Sequence, residues 1–154
     1  MADDPIDIFA WQRLDERTTT SGYLKAEDIA KLDAVGVRHV INLAPDGRDG
    51  ALPGEAEMLA ERGIRYSYIP VPFDAPDEGH FNDFRQAYEG SNETVHVHCV
   101  ANWRVSAFFY RYNRDFRKMD AGEARALMEQ QWSPEKWDHE MAGTWVNFIA
   151  EPEN

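Results

Sequence analysis

The segment from Val95 to Tyr110 constrains the fold more than any other, because it predicts a strand joined to a helix through a very short loop. A run rich in β-branched valine ends at His98, which predicts a strand over these residues. The only cysteine, Cys99, follows at once, and a strongly helical stretch begins at Arg104. A strand that leads directly into a helix is the building unit of a parallel sheet covered by helices.

Helix and strand patterns alternate along the rest of the chain. We predict helices over 26–35, 54–62, 81–88, 121–130 and 134–149, strands over 37–43, 64–69 and 94–98, and a further strand within 11–23. Ser133 and Pro134 are predicted to begin the last of these helices as its N-cap and first residue. The predicted fold is α/β, with a mostly parallel central sheet of about four or five strands flanked by helices.

Length, charge and cysteine content limit the classes of function. A chain of 154 residues with 43% apolar residues indicates one globular domain over 1–154, with the acidic residues 1–10 loosely held. The formal net charge of −12 argues against nucleic acids and anionic membranes as partners. The single cysteine excludes an internal disulfide, and no signal-peptide or membrane-spanning pattern is present, so we expect a cytoplasmic location. We interpret the cations Arg111, Arg114, Arg117 and Lys118 as a solvated helix face.

The loop between the strand and the helix has the features of an anion site. Backbone N–H groups gathered at a helix N-terminus attract negative charge, and there they lower the pKa of a cysteine such as Cys99. Arg104 can grip two oxygens of a phosphate-like group. A cation at the start of a helix is unfavourable unless an anion is bound nearby, which favours a functional interpretation of Arg104. The predicted substrate-binding residues are Val100, Ala101, Asn102, Trp103, Arg104 and Ser106.

Four parts of the sequence resemble a known family. They are Thr-Ser-Gly at 20–22, Gly-Val-Arg-His-Val-Ile-Asn-Leu at 36–43, Pro-Gly-Glu-Ala at 53–56 and His-Cys-Val-Ala-Asn-Trp-Arg-Val-Ser-Ala-Phe at 98–108. From about residue 20 to 149 the chain resembles the small bacterial tyrosine-phosphatase-like proteins, which are related to the phosphatase domain of the β-lactamase-hydrolase-like proteins. They are part of the cysteine-dependent protein-tyrosine and dual-specificity phosphatase superfamily.

The resemblance implies a two-step hydrolysis of a phosphomonoester, carried by a phosphoprotein or a small molecule. The Cys99 thiolate attacks phosphorus and forms a phosphocysteine, while the loop amides and Arg104 hold the phosphate oxygens. An acid on a neighbouring loop protonates the leaving oxygen and then activates water. Asp74 is the candidate for this acid and Asp77 its substitute. Neither a metal nor another cofactor is required.

The loop departs from the usual superfamily pattern in two respects. It has four residues between Cys99 and Arg104, one fewer than usual, so that Val105 stands at the usual arginine position. It also lacks the glycine that normally allows a positive φ angle. We predict that Asn102 adopts the left-handed conformation instead, because asparagine tolerates it best among these residues.

Two alternatives to hydrolysis remain open at this point. The shortened loop is compatible with a phosphate-binding interaction module that does not turn over its ligand. The same spacing occurs in rhodanese-type sulfurtransferases, in which the cysteine holds a persulfide. His96 and His98 share one strand face, and we predict a structural role for them rather than metal binding, with His98 orienting the loop through a hydrogen bond. The oligomeric state is left open.

Overall fold

The computed structural model describes residues 3–46 and 51–150, and over them it has a five-stranded sheet flanked by helices. The strands are β1 (Gln12–Arg13), β2 (Thr18–Ser21), β3 (His39–Asn42), β4 (Arg65–Tyr68) and β5 (Val95–His98). The helices are α1 (Ala26–Ala34), α2 (Glu55–Glu61), α3 (Glu78–Glu89), α4 (Trp103–Asp115), α5 (Ala121–Glu129) and α6 (Ala142–Ile149), with a 3₁₀ turn at Pro134–Lys136. This confirms the predicted α/β fold.

The central position of β5 explains why functional loops converge at one edge of the sheet. The strand order is β1-β2-β5-β3-β4, and every pairing is parallel except that of β1 with β2. His98 at the end of β5 is in register with Ser21 at the end of β2 and with Asn42 at the end of β3. The segments that follow these three strands therefore begin side by side, at the carboxyl edge where parallel sheets bind ligands.

The apolar stripe of α4 packs against the sheet and α3. Val105, Phe108 and Phe109 are at most 2% exposed, and each contributes about 2 kcal/mol through removal from water. The Phe109 ring meets the rings of Phe84 and Tyr88 edge-on at centroid distances of 5.1 and 5.2 Å. No helix within the described ranges is long and apolar enough to cross a membrane.

The interpretation of the α4 cations as a solvated face is wrong for two of them. Arg111 and Arg114 are only 8% and 9% exposed. Arg111 donates two hydrogen bonds to Glu78 at 2.7 and 2.9 Å, and Arg114 donates to the Ile149 carbonyl at 2.6 Å near the end of α6. These two cations therefore join α4 to its neighbouring helices.

The prediction of one helix over 134–149 is also wrong. A 3₁₀ turn ends at Lys136, Trp137 is extended at ψ 120°, and α6 begins only at Ala142. The Ser133 side chain makes no capping hydrogen bond. Trp137 packs edge-on against Trp132 at 5.6 Å and stacks on His139 at 4.2 Å. We attribute the interruption to this aromatic packing, which overrides the local helical pattern.

Two buried histidines, His96 and His39, should make the folded protein less stable in mild acid. Burial, reinforced by the charge of His98, lowers the pKa of His96 well below its ordinary value of 6.5. Burial and then the Arg65 charge lower the pKa of His39. The unfolded chain therefore binds more protons than the folded chain below about pH 6.5, so stability is complete above that pH and is lost as the pH falls.

We expect the free energy of unfolding in urea to decrease between pH 7 and pH 5, with His96 contributing about 1 kcal/mol per pH unit below pH 6 and His39 adding to the decrease. The variant His96→Gln should be less stable at pH 7, because His96 lies 2.8 Å from the hydroxyls of both Thr19 and Ser21. Its stability should nevertheless fall less steeply with pH. Equal slopes for the two proteins would contradict the assignment.

Candidate active site

The loop that follows β5 places Cys99 four residues before Trp103, the first residue of α4. Cys99 is 2% exposed, and its backbone N–H donates to the Ser21 carbonyl at 3.4 Å. The helix begins at Trp103, and its first turn contains no acidic residue. The positive end of a 13-residue helix therefore lies next to the cysteine, which favours an anion at this position.

Asn102 makes the sharp turn from the loop into the helix. Its φ and ψ are 66° and 9°, a left-handed conformation, and it is fully buried. The side-chain amide donates to the Ala10 carbonyl at 2.9 Å and to Thr20 Oγ1 at 3.0 Å. The prediction that Asn102 takes the left-handed position is confirmed, and its side chain is directed to the protein rather than to a ligand.

Gly22 allows the end of β2 to lie directly against the loop. The Val100 carbonyl accepts from the backbone N–H of Tyr23 at 2.9 Å. A Cβ atom added to Gly22 would lie 2.6 Å from the Val100 oxygen and 2.6 Å from the Phe9 ring, so only glycine fits without a shift. The Thr-Ser-Gly motif thus stabilises the loop, because Thr20 is hydrogen-bonded to Asn102 and Gly22 packs against Val100.

Arg104 lies in the first turn of α4 and reaches the ends of two neighbouring segments. Its Nη1 donates to the Leu43 carbonyl at 3.5 Å, just after β3. Its guanidinium carbon lies 5.3 Å from the centroid of the ring of Phe73, the residue before Asp74. Cys99 and Arg104 are thus held at opposite ends of one short loop.

The other predicted site residues differ in burial and in their contacts. Trp103 stacks on Trp132 with ring centroids 4.7 Å apart. Ser106 is buried, and its hydroxyl donates to the Trp103 carbonyl at 3.1 Å. Asp74 is exposed in a turn closed by the 3.2 Å bond from the Ala75 N–H to the Pro72 carbonyl.

Asp77, the second candidate for the acid, caps the N-terminus of a helix. It is the N-cap of α3, where its carboxylate accepts from the His80 backbone N–H at 2.9 Å. A carboxylate bonded in this way is already used to satisfy the first turn of a helix. Asp77 thus has a structural role at the start of α3, whereas Asp74 stays the candidate for the acid.

His98, the residue before Cys99, forms a buried pair with Glu55 that the sequence did not predict. His98 Nε2 is 2.6 Å from Glu55 Oε2, and both side chains are at most 5% exposed. The other ring nitrogen of His98 is 3.3 Å from the Cys99 carbonyl oxygen, which can only accept. His98 therefore donates from Nδ1 to this carbonyl, and its Nε2 faces the Glu55 carboxylate. Glu55 belongs to the Pro-Gly-Glu-Ala motif, the one sequence signal that marks it.

Within residues 3–46 and 51–150, no group of three or more His, Cys, Asp or Glu side chains is placed to hold a metal ion. His96 and His98 share a strand face, and their ring nitrogens contact protein groups from β2, α2 and the loop. Their positions fit the structural role that we predicted for them.

Substitutions of Asn102 separate its backbone conformation from its hydrogen bonds. Asn102→Gly and Asn102→Ala both remove the bonds to Ala10 and Thr20, but only alanine resists a positive φ. We expect Asn102→Ala to be less stable than Asn102→Gly by about 1 kcal/mol in urea unfolding. Equal stabilities, or a more stable alanine variant, would show that the left-handed turn is not retained.

The buried pair predicts strong coupling between Glu55 and His98. Removal of one partner leaves the other buried and unpaired, so Glu55→Ala or His98→Ala alone should cost about 3 kcal/mol of unfolding free energy. The double variant should cost much less than the sum of the two, as measured by a double-mutant cycle in urea. Additive losses would contradict the pairing.

Comparison with known proteins agrees with this fold. No protein-family model matches the chain. The Beta-lactamase hydrolase-like protein of Xylella fastidiosa is 32% identical over 117 residues, which are 74% of this chain and 27% of that protein. The corresponding protein of Agrobacterium fabrum is 29% identical over 100 residues. The chain spans 27% and 23% of the length of these two curated relatives.

Solved structures extend the similarity over nearly the whole chain. A DUF442 protein from Shewanella putrefaciens CN-32 is 28% identical with a TM-score of 0.78, covering 95% of this chain and 94% of that one. A cysteine-to-serine variant of P. aeruginosa TpbA in complex with pTyr has a TM-score of 0.71 at 19% identity, covering 95% and 86%. The second likeness shows the fold alone. The chain is thus homologous to a segment of the β-lactamase-hydrolase-like proteins and has the tyrosine-phosphatase-like fold.

Proposed function

We propose that the protein is a cysteine-dependent phosphatase that hydrolyses phosphomonoesters. The observation that supports this proposal is the position of the buried Cys99 in the short loop between β5 and α4, with Arg104 in the first turn of that helix. This arrangement offers a nucleophile, backbone donors and a guanidinium to one tetrahedral anion. The tyrosine-phosphatase-like fold of the structural neighbours supports the same reaction class.

In the first step the Cys99 thiolate attacks phosphorus in line, so an S–P bond forms as the P–O bond to the leaving group breaks. Asp74 gives its proton to the departing oxygen. In the second step water attacks phosphorus, the S–P bond breaks, and Asp74 takes a proton from that water. The products are an alcohol or phenol and inorganic phosphate, with the thiolate restored.

The buried surroundings of the loop support catalysis by preorganisation. Asn102 fixes the loop backbone, Gly22 braces it, and His98 donates to the Cys99 carbonyl. Donors that are held in place need no reorganisation when charge develops in the transition state. Substrates of this proposal are phosphoproteins or small phosphoesters, and the pTyr complex of TpbA makes an aryl phosphate the first ester to test. A cysteine that must remain reduced fits a cytoplasmic location.

Turnover of para-nitrophenyl phosphate between pH 5 and pH 7.5 tests the proposal. We expect Cys99→Ser to abolish turnover, vanadate to inhibit it, and Arg104→Lys to lower kcat/KM by about 10²-fold because the bidentate grip is lost. Arg62→Lys is the matched control, because Arg62 is an exposed arginine paired with Asp33 near the opposite edge of the sheet. Its activity should equal that of the wild type.

The same proteins discriminate the two alternatives. A binding module would show no turnover, but phosphate would raise the melting temperature of both wild type and Cys99→Ser. A sulfurtransferase would consume thiosulfate in the presence of cyanide and add one sulfur atom to the mass of the protein at Cys99. Folded wild-type protein without turnover of any aryl phosphate would contradict the phosphatase proposal.

A further inference from the structure

Phe73, the residue before Asp74, is enclosed by aromatic rings from three other parts of the chain. Its carbonyl accepts a hydrogen bond from the indole Nε1 of Trp145 on α6, at 2.8 Å. Trp145 is fully buried, so this donor cannot exchange freely with water. The neighbours of the Phe73 ring are Trp145, Trp137, Trp132 and Trp103, at centroid distances of 5.2, 5.7, 6.0 and 6.3 Å.

The segment that contains Phe73 is also tied directly to Arg104. The Leu43 carbonyl accepts from the Val71 backbone N–H at 2.9 Å and from Arg104 Nη1 at 3.5 Å. The guanidinium carbon of Arg104 lies 5.3 Å from the Phe73 centroid, within the range of a cation–π contact. One carbonyl and one ring thus connect the Asp74 segment to the loop that holds Cys99.

We propose that Trp145 and Phe73 are positioning residues that hold Asp74 beside the catalytic loop before substrate binds. Asp74 itself is exposed, but the residue before it is fixed by a buried hydrogen bond and by rings on several sides. A carboxylic acid protonates a leaving oxygen efficiently only when it is held within hydrogen-bonding reach, and small displacements are costly. This inference rests on the proposed function, because it assigns a role in the leaving-group step of that reaction.

The same aromatic cluster offers a matched control. Trp132 contacts Phe73, Trp103 and Trp145, and it is 7% exposed. Within the described part of the chain, its Nε1 has no hydrogen-bond partner. Trp145→Phe and Trp132→Phe therefore remove the same atoms from one cluster, but only the first removes a hydrogen bond to the Asp74 segment.

Two esters with different leaving groups test the inference. Phenyl phosphate releases a basic phenolate that needs a proton, whereas dinitrophenyl phosphate releases a stable anion that does not. We expect Asp74→Asn to lower kcat for phenyl phosphate by about 10²-fold and Trp145→Phe by about 10-fold, with kcat for the dinitrophenyl ester within about twofold of wild type. Trp132→Phe should leave the ratio of the two kcat values unchanged.

Equal losses on both esters in Trp145→Phe, or a ratio equal to that of Trp132→Phe, would overturn the inference. A wild-type ratio in Asp74→Asn would instead remove Asp74 from the proposed mechanism. If Trp145→Phe does not fold, Phe73→Leu replaces it, because leucine keeps the backbone carbonyl but loses the ring that faces Arg104. The same decrease in the ratio is then expected.

A measurement without turnover separates this inference from the proposed function. Hydrogen exchange of the peptide over 70–77 should be faster in Trp145→Phe than in wild type and unchanged in Trp132→Phe. Unchanged exchange in both variants would overturn the positioning role even if the enzyme is active. Faster exchange without turnover of either ester would support the positioning role while contradicting the phosphatase proposal.

Discussion

The left-handed turn at Asn102 is the constraint on which the candidate site depends. It changes the direction of the backbone between the end of β5 and the start of α4, and it is held by two buried hydrogen bonds from its own side chain. Because the sulfur of Cys99 precedes this turn and Arg104 follows it, their relative position is set by one backbone conformation. Glycine would allow the same φ, but it would not anchor the loop to Ala10 and Thr20.

The residues around this turn show how a parallel sheet holds the candidate site in place. The strand register places the ends of β2, β3 and β5 side by side, and residues at or just after each end contact the loop or Arg104. Thr20 and Gly22 hold the loop from β2, Leu43 after β3 accepts from Arg104, and His98 on β5 donates to the Cys99 carbonyl. These hydrogen bonds and contacts come from three different strands, so the loop is fixed to the sheet on several sides.

Local sequence patterns predicted much of this fold. The β-branched run of β5, the helical stretch that begins near Arg104 and the left-handed tendency of Asn102 each depend on a few neighbouring residues, and the structure agrees with them. The same reasoning failed where distant residues decide. Glu55 pairs with His98 across 43 positions, and Arg111 and Arg114 are buried by partners on α3 and near the end of α6.

The same distinction between neighbouring and distant residues applies to the candidate site. Cys99 and Arg104 are close in sequence, so their spacing alone indicated a shared loop. Phe73 reaches Arg104 and Trp145 only through the tertiary fold, and Trp137 leaves its predicted helix for the same aromatic cluster. No periodic pattern marks such contacts, because they are made between segments that are far apart in the chain. The catalytic roles of Cys99, Arg104 and Asp74 remain predictions.

Amide chemical shifts test most directly whether the loop after β5 binds an oxyanion. Phosphate would be titrated into isotopically labelled Cys99→Ser protein, in which no covalent intermediate can form. We expect saturable shifts of the backbone N–H resonances of residues 100–104, because these groups and Arg104 would surround the anion, while those near Arg62 stay fixed. Shifts that are absent, or that are spread over the surface without saturation, would contradict anion binding by this loop.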